Sequence, residues 1–182
     1  VTNIAKALER NPDIVKNARF VGMQGSVRKG YNASDEICAE YNVKADPLSC
    51  QKVFTSDLEI TITPLDTCGL VKLRGEKYIK VHNCKKPLIK ALMENYCIWD
   101  KMFDADKFSL GFGKESSILY DTVAIYLAFS EELLKVEELG IKVTDDGYTV
   151  IDENAKKIRC ATEWKNFSTF EDFIVERLTR EE

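Results

Sequence analysis

Between an apolar strand candidate, Arg19–Met23, and a helix opened by Asp46 and Pro47 lies a long polar stretch, residues 32–47. It carries two amides and one carboxylate, Asn32, Asn42 and Glu40. Amides donate and accept hydrogen bonds and a carboxylate accepts them, so the three suit a ligand with several hydroxyls. In an open α/β sheet, a loop leaving the carboxyl end of a strand is where ligands bind. The same residues also make an ordinary solvated loop with Asn and Asp in turns, and composition alone favours that reading. A second candidate is Asp121, a carboxylate inside residues 116–129, which are apolar almost all round and predict a buried helix. Asp121 either caps a helix beginning at Thr122 or ligates a hard cation. Two other features read as structural. Thr144-Asp145-Asp146-Gly147 has hairpin-turn spacing rather than that of a calcium loop, and His82, the single histidine, reads as a helix-end or surface residue.

The elements that must position these groups follow from periodicity and caps. Thr2 or Asn3 caps a first helix through Ile4, Ala5, Ala7 and Leu8, and Asn11-Pro12-Asp13 starts a second helical stretch. A buried strand is predicted over residues 18–23. Residues 46–54 form a helix offering Leu48, Val53 and Phe54 to the core, and residues 58–62 form a second strand, completing a βαβ unit. One helical turn is predicted at 77–81, and Pro87 opens the longest helix, to about Phe103. Strands at 141–143 and 148–151 flank the hairpin turn, and a further strand covers 157–161. Ser168 or Thr169 caps a last helix with Phe170, Phe173, Ile174 and Leu178 on one face. The expected architecture is a single α/β domain with a mostly parallel sheet, helices on both faces and a small β-hairpin.

The totals exclude several classes. With 182 residues, 45% hydrophobic and 31% charged, the chain is long enough for a real core. A net charge of -4 without a basic run argues against a nucleic-acid partner. No apolar run approaches the roughly 18 to 20 residues that span a bilayer, so no membrane partner is expected. Six scattered cysteines without metal spacing read as reduced, packed thiols and imply a cytoplasmic location.

Glu40-Tyr41-Asn42 followed by Asp46-Pro47 resembles the Glu-Phe-Asn and Asp-Pro segment of the inosine-uridine type nucleoside hydrolases. Thr2-Asn3-Ile4-Ala5, Met23-Gln24-Gly25 and Ile60-Thr61-Ile62-Thr63-Pro64-Leu65-Asp66 fall in the family's order. The resemblance implies hydrolysis of the N-glycosidic bond of ribonucleosides with calcium as cofactor. It implies that the Thr2 carbonyl and Asp121 are metal ligands. Met23 would lie beside the sugar, Asn32 and Glu40 toward its 5′-hydroxyl and Asn42 toward the other hydroxyls, with Tyr41 among the substrate-binding residues. It also implies that this chain corresponds to the carboxyl-terminal half of such a protein. The front half, which carries an aspartate cluster, would then be absent, and a homo-oligomer or a separate front-half polypeptide would be the partner. One departure stands out: Tyr120 occupies the position where well-known members have a histidine that protonates the leaving purine. With an ordinary pKa near ~10, a tyrosine is a poorer acid. A non-catalytic nucleoside- or sugar-binding relative, or a structural partner chain, is the alternative. On the enzyme reading, Thr2, Asp121, Glu40 and Asn42 should converge at the carboxyl edge of the sheet, and residues 1–182 alone should be inactive.

Overall fold

The computed structural model describes residues 1–103 and 115–180, the side chains of 100–103 excepted. The chain packs as two compact units, residues 1–71 with 118–165 and residues 72–117 with 166–182.

The first unit contains a five-stranded sheet. Strands β1 (Arg19–Met23), β2 (Glu59–Thr63), β3 (Leu134–Val143), β4 (Thr149–Ile151) and β5 (Lys157–Trp164) lie in the order β1-β2-β5-β3-β4. β1, β2 and β5 run parallel, whereas β3 is antiparallel to both β5 and β4. The α/β class and the hairpin therefore agree with expectation, and the sheet is mixed. Parallel pairing places Met23 opposite Thr63, so the chain leaves β1 and β2 at the same edge.

Helices α1 (Thr2–Arg10), α2 (Tyr41–Lys44), α3 (Pro47–Thr55) and α4 (Leu65–Cys68) accompany this sheet, as does α7 (Asp121–Leu127). Asp46 caps α3 by accepting from the Ser49 amide at 3.1 Å, with Pro47 in its first turn. Such a cap contributes about 1 kcal/mol. Val43, Cys50, Val53, Phe54, Ile62 and Cys160 are buried in one cluster. Cys38, Cys50, Cys68, Cys84 and Cys160 are free thiols.

Three local expectations are corrected here. Neither Thr2 nor Asn3 caps α1: Thr2 is already helical, Val1 occupies the cap position, and the Thr2 hydroxyl donates to Asp46. Leu48 is 72% exposed, and Cys50, two residues on, takes the core position. The apolar stretch 116–129 is helical only over Asp121–Leu127, and its face carrying Ile125 is exposed.

The second unit comprises α5 (Gly75–His82), α6 (Pro87–Phe103) and α8 (Phe167–Thr179). Asn166, not Ser168 or Thr169, caps α8: its side chain accepts from the Thr169 amide at 3.1 Å, two to three residues earlier than expected. Phe170 and Ile174 are buried on the expected face together with Val175, while Lys77 of α5 pairs with Glu171 at 3.0 Å and Asp172 at 2.8 Å. His82 is exposed at the end of α5.

Candidate active site

The polar loop after β1 is held by backbone-directed carboxylates. Gly25 sits at φ +84°, a conformation open to glycine, and a Cβ there would meet Thr149 Oγ1 at 2.5 Å. That geometry turns the Gly25 amide toward Glu40 Oε2 at 3.0 Å. Buried Asp66 at the start of α4 accepts from the Val27 and Arg28 amides at 3.0 and 2.8 Å, fixing the next turn of the same loop.

Glu40 is 2% exposed. It caps α2, accepting from the Asn42 amide on Oε1 at 2.8 Å and the Val43 amide on Oε2 at 3.4 Å. Burial raises its carboxyl above the ordinary value, the three backbone donors partly offset this, and the charge of Asp121 raises it further. A folded-state pKa above the unfolded value means the native state holds the proton longer. Glu40's contribution to stability is therefore full below the unfolded pKa near 4.5 and declines as pH rises through the folded one. Urea titrations from pH 4 to 7 should show stability falling with pH more steeply in the wild type than in Glu40→Gln. Glu40→Ala should cost about 2–3 kcal/mol at low pH and less toward pH 7, because the three amides lose their acceptor.

An open cleft of about 300 Å³ is lined by Met23, Glu40, Tyr41 and Asn42, by Tyr120 and Asp121 at the start of α7, and by Tyr31. Its size lies at the lower end of the range for small-molecule sites, roughly 300–1,000 Å³. Asn42 Nδ2 donates to the Met23 carbonyl and sulfur, each at 3.1 Å. Because a carbonyl only accepts, the amino group must face Met23, leaving Asn42 Oδ1 as the free acceptor. Tyr31 and Tyr120 meet edge to face with ring centroids 6.5 Å apart, and partial burial raises both phenols above their ordinary range.

Six of the eight residues expected at the site line this cleft. Thr2, at the start of α1, and Asn32 do not. Asn32 and Ala33 are both left-handed, at φ 57° and 59°, and the Asn32 side chain is exposed. Asp121 is an exposed residue opening α7 itself rather than a buried carboxylate, so it does not cap a helix starting at Thr122; no side chain caps that end. Tyr31, which the sequence reading passed over, is in the cleft. Its one signal was an aromatic residue beside a candidate amide in an otherwise polar loop.

Residues 1–179 match the description "Inosine-uridine preferring nucleoside hydrolase". The chain belongs to this family. It is 24% identical over 178 residues to "Uridine nucleosidase 1" of Arabidopsis thaliana, covering 92% of this chain and 49% of that protein. Against "Probable uridine nucleosidase 1" of Oryza sativa subsp. japonica it is 25% identical over 175 residues, covering 92% and 51%. The chain thus spans about half the length of the curated relatives it matches. Among solved structures, a purine-preferring ribonucleoside hydrolase from Gardnerella vaginalis superposes with a TM-score of 0.78 at 21% identity, covering 98% of this chain and 57% of that one. A plant nucleoside hydrolase gives 0.79 at 18%, covering 99% and 59%. At these identities the structural matches establish the fold.

Among the described residues, no three histidine, cysteine, aspartate or glutamate side chains converge to hold a metal. Asp121, exposed in the cleft, suits one carboxylate bond to calcium, which takes about 6 to 8 oxygens. Glu40 accepts from three backbone amides, only one of them on Oε1, so it offers a remaining acceptor site rather than an uncommitted carboxylate. No helix among the described residues is long and apolar enough to cross a membrane.

Proposed function

We propose that the complete protein hydrolyses the N-glycosidic bond of ribonucleosides with calcium. The observation that carries this reading is the gathering of Glu40, Asn42 and Asp121, with Met23 and Tyr120, around one cleft in a chain of this family. Asn42 Oδ1 accepts from a ribose hydroxyl, and Glu40 Oε1 accepts from the 5′-hydroxyl while its other bonds hold it still. The thioether of Met23, fixed by Asn42, packs against the sugar. Tyr120, kept neutral, donates a hydrogen bond to the departing base without ionising; its raised pKa makes full proton transfer from it less favourable still. Calcium, when bound, supplies an acidified water and a positive charge beside the sugar hydroxyls. Asp121 would be its ligand from this chain, and the remaining oxygens would come from outside residues 1–182 and from water. The Thr2 carbonyl, expected as a second ligand, begins α1 and is left out of this assignment. A front-half polypeptide or a second copy is the partner on this reading, and the free thiols fit a cytoplasmic location.

The test incubates the full-length protein with calcium and uridine or inosine and follows free base and ribose. Release that stops on chelation is expected. Saturable nucleoside binding without release would instead identify a binding protein.

A further inference from the structure

We propose that Tyr31 is a specificity residue for the sugar, its phenol donating a hydrogen bond to the same ribosyl hydroxyl from which Glu40 accepts. The inference rests on the nucleoside hydrolase reading and adds a residue to it. The Tyr31 oxygen accepts from the Tyr41 amide at 3.0 Å, which ties it to the peptide that immediately follows Glu40. Since Tyr41 nitrogen is the donor in that bond, the phenolic proton remains for a ligand. The ring is fixed edge-on against Tyr120. The loop is equally constrained: the Gly30 amide donates to the Ser34 carbonyl at 2.9 Å and the Ser34 amide to the Tyr31 backbone carbonyl at 3.2 Å, closing a turn through left-handed Asn32 and Ala33. A left-handed alanine costs about 1–2 kcal/mol, and the turn it permits sends Tyr31 rather than Asn32 into the cleft. The cleft lining thus holds a donor, Tyr31 Oη–H, bonded to the peptide after Glu40, and an acceptor, Glu40 Oε1, which carries one protein hydrogen bond. That pair complements an alcohol, which accepts and donates at once.

The experiment compares kcat/KM of full-length wild type and Tyr31→Phe on 4-nitrophenyl β-D-ribofuranoside and on its 5′-deoxy counterpart. Phenylalanine keeps the ring contact and removes both the donor and the acceptor of the Tyr41 amide, and the 5′-deoxy comparison separates the first loss from the second. The variant should lose about 10-fold on the riboside and less than about 2-fold on the 5′-deoxy compound, the worth of one neutral hydrogen bond. Equal losses on both, or none on either, would overturn the proposal while leaving the enzyme reading intact. A wild type inert toward both compounds would overturn the two together. Should Tyr31→Phe fail to fold, 3,5-difluorotyrosine at position 31 keeps the shape and lowers the phenol pKa. Riboside turnover should then fall off at a lower pH than in wild type, while 5′-deoxy turnover does not; unchanged profiles would overturn the proposal.

Discussion

Asp121→Ala in the full-length protein is expected to lower kcat on ribonucleosides about 10³-fold, equivalent to about 4 kcal/mol of transition-state stabilisation, and to weaken calcium binding in parallel. The side chain opens α7 on an exposed position, and its influence on Glu40 places its charge within reach of the buried wall of the cleft. Removing it should scarcely affect folding. A carboxylate in the first turn of a helix contributes about 0.3–1 kcal/mol through the helix dipole, and the core of this unit lies elsewhere. Activity and stability should therefore separate: urea midpoints near wild type, turnover nearly abolished. Calcium titrated calorimetrically into wild type and variant provides the second readout. A variant that keeps wild-type turnover and calcium affinity would remove Asp121 from the site.

How much of this was legible in the sequence differs by element. The βαβ unit of β1, α3 and β2 was, because Asp46 and Pro47 mark the helix start and the strands are short apolar runs. The first half of β3 was not. A bulge between Lys135 and Val136 shifts its alternation, and Glu137 interrupts the apolar pattern while paired with Arg28 at 2.7 Å and with Thr162. Those two partners hold the Glu137 carboxyl down at about 2. The cap of α8 was displaced because Asn, Ser and Thr all stand near its start and propensity does not choose among them. At the site, Glu40-Tyr41-Asn42 was legible as a motif. The three amides that Glu40 accepts from were not, since the Gly25 contact depends on a positive φ fifteen residues away. The exchange of Asn32 for Tyr31 was equally hidden, because it depends on two successive left-handed residues, one of them an alanine.

Residues 1–182 by themselves are expected to hydrolyse no nucleoside. From this chain the proposed calcium site receives the Asp121 carboxylate, whereas calcium takes about 6 to 8 oxygens, so water would fill most of the shell and affinity would be weak. The leaving-group side is equally thin. Tyr120 is the candidate acid in the cleft, and burial moves its pKa further from neutrality. Next to Met23, Gln24 Oε1 is buried with no hydrogen-bond partner among the described residues, an arrangement that normally costs about 1–3 kcal/mol. A donor contributed from outside these residues would satisfy it. The assay takes the purified 182-residue chain, shown to be folded by circular dichroism and free of other polypeptides by mass spectrometry, and supplies calcium and 4-nitrophenyl β-D-ribofuranoside. Turnover should stay at background, and a co-expressed polypeptide supplying the remaining oxygens should restore it. Calcium-dependent turnover by the chain alone, lost in Asp121→Ala, would mean that the cleft is catalytically complete and that Asp121 holds the metal with far fewer protein oxygens than this reading requires.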